Sequence, residues 1–112
     1  LSRDLPYLKN ARQVNSSTIR ISLDELVEGK IYLLSDSICI SRINGRPRAF
    51  GRYCPHQSAD LTTGCIRRGQ IVCSRHNLAC DPATGQNPCQ SIHALKTCPV
   101  AITDTMVDIQ VQ

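Results

Sequence analysis

Two Cys/His pairs constrain this chain of 112 residues more than any other feature of its sequence. One residue separates Cys54 from His56, and two residues separate Cys73 from His76. Sixteen residues lie between the two pairs, which is enough chain for a hairpin that brings two loops side by side. Thiolates and imidazoles are ligands of zinc and of iron. The spacing therefore predicts one metal site to which each loop gives one Cys and one His.

Two kinds of metal centre fit this set of four side chains. Zinc would take all four in a single tetrahedron. A [2Fe–2S] cluster would take the two Cys on one iron and the two His on the other. Zinc fingers usually keep the two Cys together and the two His together, whereas Cys and His alternate here. The alternation favours the cluster, and a zinc-stabilised binding module, whose metal would contribute folding energy only, remains the alternative.

The segments around both pairs extend the pattern. They read CPHQSADLTTG, IVCSRHNLACDPATG and LKTCPVAI, and they span about residues 50–102. These segments resemble the Rieske ferredoxins and the Rieske domains of oxygenases. The resemblance implies an all-β fold, an antiparallel β-sandwich with a small cluster-binding subdomain at about residues 52–92. It also implies one [2Fe–2S] cluster per chain, with Cys54 and Cys73 on the inner iron and His56 and His76 on the outer iron.

The function that the resemblance implies is one-electron transfer, with no catalytic site on this chain. Such a protein is either a stand-alone ferredoxin that passes electrons from a flavin reductase to a terminal oxygenase, or the Rieske domain of a larger oxygenase. An alternative is the small subunit of another redox enzyme such as nitrite reductase. Several of those subunits resemble Rieske proteins but have lost ligands, and the four intact ligands here argue against that class.

Five positions near the two pairs depart from patterns found in members of the family. Asn77 stands where many members have Gly, and Asn is among the residues that best tolerate a positive φ. Ala59 and Arg75 stand where the Rieske proteins of cytochrome bc complexes have a disulfide, so that bridge cannot form. Leu78 and Cys80 stand where high-potential relatives have a Ser and a Tyr that donate hydrogen bonds to the cluster. We therefore expect a low reduction potential.

Hydrophobic periodicity independently predicts short β-strands. Apolar residues alternate from Thr18 to Leu23, and further strand-like runs cover 30–34 and 37–43. Asn44-Gly45 and Arg68-Gly69 are turn signals for two hairpins, and a third hairpin joins 97–103 to 106–111. Residues 1–17 show no sustained period. We interpret them as an arm or linker that precedes a Rieske domain at 18–112.

Seven cysteines are an odd number, so at least one sulfur lies outside any intramolecular disulfide. Five are not in the ligand pairs, and we expect them to be small buried apolar residues: Cys39, Cys65, Cys80, Cys89 and Cys98. A disulfide among the last four remains open. His93 lies outside both ligand loops and is expected to have a surface or hydrogen-bonded role.

Composition excludes several other classes of protein. A chain with 41% hydrophobic and 20% charged residues is typical of a globular domain. The net charge of +4 is a mild bias that favours a solvated face over nucleic-acid binding. No apolar run reaches the length of a membrane span, so we expect a soluble, cytoplasmic protein without a membrane or nucleic-acid partner. Four arginines near the pairs would make a basic docking surface if they cluster: Arg52, Arg67, Arg68 and Arg75.

Overall fold

Strands make up nearly all the regular secondary structure of the computed structural model, which describes residues 5–55, 58–75, 77–88 and 93–111. The strands are β1 Arg12–Asn15, β2 Thr18–Ser22, β3 Ile31–Leu33, β4 Ile38–Ile43, β5 Arg46–Gly51, β6 Cys65–Arg67, β7 Gln70–Val72, β8 Ala79–Cys80, β9 Thr97–Cys98, β10 Val100–Thr103 and β11 Met106–Gln110. Within these described ranges, two short 3₁₀ turns cover Leu23–Glu25 and Leu61–Thr63. The sheets are antiparallel throughout, so the all-β prediction is confirmed.

The first four-stranded sheet has the strand order β1-β2-β11-β10. Ile21 pairs with Val107, and Ile19 pairs with Ile109. All four of these side chains are buried, while the residues that alternate with them are partly exposed. This sheet therefore buries one face, as the alternation from Thr18 predicts.

The second four-stranded sheet, β3-β4-β5-β9, is buried on both faces. Tyr32, Ile40 and Ala49 are cross-strand neighbours and pack against the apolar face of the first sheet. The residues next to these three in their strands lie on the opposite face of the sheet, where they form part of a second apolar cluster: Leu33, Cys39 and Phe50. That second apolar cluster also contains Cys54 and Cys73. The second sheet is thus the middle layer between the first sheet and the candidate site.

The third sheet, β6-β7-β8, belongs to the smaller layer. Its first hairpin turns at Arg68-Gly69, where φ is 53° and 75°. The β4–β5 hairpin turns at Asn44-Gly45, where φ is 53° and 80°. Positive φ at both central residues defines the turn that matches the twist of antiparallel strands. Both predicted hairpins are confirmed.

Pro99 divides what the pattern predicts as one strand over 97–103. Cys98 pairs with Ala49 in the second sheet, whereas Val100–Thr103 pairs with β11 in the first. Proline has no backbone N–H to give to a ladder, so the strand ends there and the chain changes sheets. The prediction of a single strand was wrong for this reason.

The N-terminal segment lies along the domain. Strand β1 pairs with β2, and Leu33 is bonded to the segment on both sides, through its N–H to the Pro6 carbonyl at 2.8 Å and its carbonyl to the Leu8 N–H at 3.1 Å. All four residues of β1 are exposed, which explains why the sequence shows no apolar period there. Backbone hydrogen bonds therefore attach most of this segment.

None of the helical turns in the described part of the chain has the length and apolar character that crossing a bilayer requires.

Candidate metal centre

The first ligand loop begins where β5 ends, and it closes on itself. The Cys54 N–H donates to the Ala59 carbonyl at 2.8 Å, and the Ser58 N–H donates to the Cys54 carbonyl at 2.8 Å. Cys54 is 2% exposed and lies in the apolar cluster beneath the second sheet. His56, the second predicted ligand on this loop, lies outside the described residues. The structure therefore places one thiol of the loop in the core.

An ion pair between Arg52 and Asp60 joins the two ends of this loop. The Arg52 guanidinium donates to Asp60 Oδ2 from Nη2 at 2.8 Å and from Nε at 3.2 Å. The other carboxylate oxygen of Asp60 accepts from the N–H and the hydroxyl of Thr62, at 3.0 and 2.7 Å. Burial alone would raise the pKa of Asp60, but these hydrogen bonds outweigh it and lower the pKa. Arg52 is thus neutralised by Asp60, and the expected basic surface loses one of its four charges.

The second ligand loop connects β7 to β8. Cys73 follows β7 directly and is 2% exposed, and its N–H donates to the Leu78 carbonyl at 2.9 Å. Asn77 has a φ of 51°, so it occupies the left-handed region in which Gly is usual. Asn77 thus occupies a backbone conformation that Asn tolerates better than most residues. His76 lies outside the described residues.

Cys80 interacts electrostatically with the Cys54 and Cys73 thiols under the second sheet. Cys54, Cys73 and Cys80 are all buried in one apolar cluster. Burial, and the negative charges of Cys54 and Cys73 as thiolates, raise the pKa of the Cys80 thiol to about 11. Within the ranges that the structure describes, no three Cys, His, Asp or Glu side chains are placed to bind a metal ion, so Cys80 does not complete such a set. A pair of buried thiols on two loops fits the inner half of a Cys2His2 cluster site.

A third loop supports the two ligand loops. The Asp81 carboxylate accepts from the Ala83 N–H at 2.7 Å, and the Gly85 N–H donates to the Asp81 carbonyl at 2.7 Å. The Gly85 carbonyl accepts from the N–H of Leu95 at 2.7 Å, and the Leu95 side chain is buried in the same cluster as Cys54. Gly85 has a φ of 77°, and a Cβ there would lie 1.9 Å from the Leu95 carbonyl oxygen. Only glycine fits this close approach.

The remaining cysteines divide into two groups. Cys39, Cys80 and Cys98 are buried free thiols, as expected, and burial raises the pKa of Cys39 to about 12. Cys65 is exposed, so the expectation of burial was wrong for this residue. Its short strand β6 lies at the edge of the third sheet and has no buried residue, and the Cys65 Sγ accepts a long hydrogen bond from the exposed Arg67 guanidinium at 3.9 Å. Cys89 lies outside the described residues, and His93 is exposed as expected.

Two facing sheets that carry a smaller three-stranded layer, with buried thiols from two of its loops, define a small all-β metalloprotein domain. The model of the Rieske [2Fe-2S] domain family matches residues 16–101, and the chain belongs to this family. Its cofactor is accordingly a [2Fe–2S] cluster, and its class is the Rieske electron carriers. The family membership sets the zinc alternative aside.

Solved structures show the same fold. The ferredoxin of carbazole 1,9a-dioxygenase from Nocardioides aromaticivorans IC177 has a TM-score of 0.71 and 21% identity, with 87% of this chain and 100% of that chain covered. The Sphingomonas yanoikuyae B1 ferredoxin has a TM-score of 0.66 and 28% identity, with 80% and 92% covered.

A curated relative matches over a shorter range. The oxygenase subunit of vanillate O-demethylase from Pseudomonas sp. (strain ATCC 19151) is 39% identical over 51 residues, which cover 44% of this chain. The match spans 16% of that relative's length.

Proposed function

We propose that Cys54 and Cys73 hold the inner iron of the cluster as thiolates and that His56 and His76 hold the outer iron as neutral imidazoles. The observation that carries this assignment is the burial of Cys54 and Cys73 in one apolar cluster, each presented by a separate closed loop. The order Cys, His, Cys, His gives each loop one ligand for each iron.

The environment of the two thiols suits electron transfer. When bound, the cluster accepts and returns one electron. Two imidazoles in place of two thiolates remove two negative charges from the ligand set, which favours reduction relative to an all-Cys site. The apolar cluster around Cys54 and Cys73 excludes water from the thiolates and fixes their positions.

The partners that we propose are a flavin reductase as electron donor and a terminal oxygenase as acceptor. The structural resemblance to an oxygenase-system ferredoxin over 87% of the chain supports the stand-alone carrier. The local match to an oxygenase subunit supports the same role inside a larger oxygenase. In either case we propose a Rieske domain at residues 18–112, with the cluster-binding subdomain at about 52–92 and an arm at 1–17 that adds β1 to the edge of the first sheet.

Metal and sulfide analysis tests the ligand assignment. We expect about two irons and two acid-labile sulfides per chain, and a rhombic EPR signal on reduction. Cys54→Ser and Cys73→Ser should each abolish the cluster, because a thiolate ligand is lost. Cys65→Ser is the matched control, since it removes an exposed thiol, and it should retain full iron and sulfide. Full cluster content in Cys54→Ser or Cys73→Ser would refute the assignment.

Stopped-flow kinetics test the partner role. The protein should be reduced by an NADH-dependent flavin reductase and then reoxidised by a Rieske oxygenase faster than by oxygen alone. Reduction by the flavin reductase without any acceleration by the oxygenase would rule out the oxygenase as acceptor while leaving the ligand assignment intact.

A further inference from the structure

A pair of hydroxyl groups joins the two ligand loops. Thr63 Oγ1 and Ser74 Oγ lie 3.1 Å apart. Thr63 ends the 3₁₀ turn that follows the first ligand loop, and Ser74 directly follows Cys73 in the second. This contact therefore spans the two loops at a point one residue from a proposed ligand.

The direction of the hydrogen bond follows from the second contact of Thr63. Its hydroxyl donates to the Asp60 carbonyl at 2.7 Å, which uses its one hydrogen. The Ser74 hydroxyl must then be the donor to Thr63 Oγ1. The result is a chain of two hydrogen bonds, from the Ser74 hydroxyl to the Thr63 hydroxyl and from there to the Asp60 carbonyl. The Asp60 carboxylate is in turn held by the Arg52 guanidinium.

The backbone hydrogen bonds of each loop close that loop on itself: Cys54 to Ala59 in the first, and Cys73 to Leu78 in the second. Ala59 and Arg75 exclude a disulfide between the loops at the positions where some Rieske proteins have one. Beyond the apolar cluster that Cys54 and Cys73 share, a direct contact between the loops would fix their relative position, since both proposed inner ligands must keep their spacing.

We propose that Ser74 and Thr63 are positioning residues that clasp the second ligand loop to the first and so hold the Cys54 and Cys73 thiols at the spacing that the cluster requires. This inference rests on the proposed ligand set. The clasp acts through the loops, since neither hydroxyl is a ligand in that set.

The test is a double-mutant cycle on the cluster-loaded protein with Ser74→Ala and Thr63→Val. Release of the cluster to a chelator is followed by the loss of visible absorbance. Each single variant should release it about two- to tenfold faster, the range expected for one hydrogen bond. The double variant should be no faster than the faster single variant, because both substitutions break the same contact.

Two further variants separate a positioning role from a general loss of stability. Ser74→Thr and Thr63→Ser keep a hydroxyl, so both should release the cluster at the wild-type rate. The EPR line shape of the reduced protein should change only in Ser74→Ala, Thr63→Val and the double variant, which lack a hydroxyl. Thr103→Val is the control, since it removes an exposed hydroxyl from β10 of the first sheet. It should leave both readouts unchanged.

Ser74 is exposed, so Ser74→Ala does not create a cavity and is expected to fold. A wild-type release rate in Ser74→Ala would overturn the clasp, and so would singles whose effects multiply in the double variant. Either result, together with cluster loss in Cys73→Ser, would refute the clasp and leave the ligand assignment standing. Cluster retention in Cys73→Ser would instead refute the assignment itself.

Discussion

Two side chains that follow His76 bear on the reduction potential of the cluster: Leu78 and Cys80. Leu78 is partly buried against the apolar cluster, and Cys80 is buried within it. Neither side chain carries a hydroxyl, and a thiol is a weak donor. A reduced cluster gains negative charge, which charge-assisted hydrogen bonds would stabilise. We therefore expect a reduction potential near the low end of the Rieske range, closer to about −150 than to +300 mV.

Leu78→Ser should raise the midpoint potential. One added charge-assisted hydrogen bond is worth about 1.5–3 kcal/mol, which for a one-electron couple is roughly 60–130 mV. Leu78→Ala is the matched control, because it removes the same apolar contacts and adds no donor. Spectroelectrochemical titration measures both variants. A midpoint of Leu78→Ser equal to that of Leu78→Ala would show that no such hydrogen bond forms.

The sequence predicted single residues well where local geometry alone decides. Asn77 was judged a tolerable replacement for Gly if the φ at that position is positive, and it has a φ of 51°. Cys65 was expected to be buried from residue type alone, and it is exposed. Burial depends on which strand lies at a sheet edge, and that is a tertiary property that residue type does not contain.

At the scale of elements, two glycines in turns differ in why a side chain is excluded: one by backbone strain alone, the other also by a steric collision. Gly45 and Gly85 both have a φ near 80°. A Cβ at Gly45 meets nothing within 4 Å, whereas a Cβ at Gly85 collides with the Leu95 carbonyl. Gly85 therefore ties the Asp81–Gly85 loop to the segment that supports Cys54.

Gly85→Ala should destabilise the protein much more than Gly45→Ala. Gly45→Ala adds only the left-handed backbone penalty of about 1–2 kcal/mol. Gly85→Ala adds the collision to that penalty, and we expect a total loss above about 3 kcal/mol. Urea unfolding of the two variants measures the difference in the free energy of unfolding. Equal losses would mean that the Gly85 loop moves away from Leu95 at no cost.

Asp60 makes the stability of the first ligand loop depend on pH. Because the folded-state pKa of Asp60 lies below its ordinary value, its contribution is complete above about pH 4 and is lost as the pH falls through the folded-state pKa. Asp60→Asn should therefore cost about 1–2 kcal/mol at pH 7. That cost should shrink towards zero in strongly acidic solution.

The control for this pH dependence is Asp108→Asn. The Arg20–Asp108 pair in the first sheet has side chains that are 40% and 36% exposed, compared with 12% and 29% for Arg52–Asp60. Water screens the exposed pair, so its removal should change stability little at any pH. The free energy of unfolding of each variant against pH provides the test, and a pH-independent cost of Asp60→Asn would contradict the assigned ion pair.

The alternation of apolar residues predicted most of the strands. It failed where the pairing of a strand depends on residues that are far away in the sequence. Strands β2, β3 and β4 follow apolar runs, and the turns at Asn44-Gly45 and Arg68-Gly69 follow from their residue types. Strand β1 has no buried residue and so leaves no pattern. The opposite error occurs at Pro99. The sequence pattern continues through residues 97–103, but the strand is divided because Pro99 has no backbone N–H to donate to a neighbouring strand.

For the whole molecule, the charge of the surface around the ligand loops determines which kind of partner surface can dock there. Arg67, Arg68 and Arg75 are exposed, whereas Arg52 is paired with Asp60. If the partner docks at the ligand loops, its surface should be acidic, and added salt should slow association, because exposed charges are screened beyond about 10 Å at 0.1 M.

Electron-transfer rates of Arg75→Glu test this arrangement. The variant should react more slowly with its partner at low salt, and the difference should narrow as salt is added. Arg12→Glu is the control, since it makes the same charge change at an exposed position on β1 of the first sheet. If Arg12→Glu reacted more slowly and Arg75→Glu did not, the partner would dock on the first sheet and the proposed docking at the ligand loops would be wrong.

The family and its cofactor could be predicted from the sequence because ligand spacing is a local property. Burial of Cys54 and Cys73 agrees with their proposed place as inner ligands. The ion pair of Arg52 and the contact of Thr63 with Ser74 could not be predicted, since each depends on how two loops pack in three dimensions. Ligation by His56 and His76 stays a prediction.

Pulsed EPR of the reduced protein tests that central prediction most directly. With ¹⁵N-labelled histidine, the spectrum should show hyperfine couplings to nitrogens of two imidazoles, because both outer ligands are histidines. His93→Gln should leave both couplings unchanged, and His56→Ala and His76→Ala should not show the pair. A [2Fe–2S] signal without nitrogen couplings, or couplings that vanish in His93→Gln, would contradict the assignment of His56 and His76.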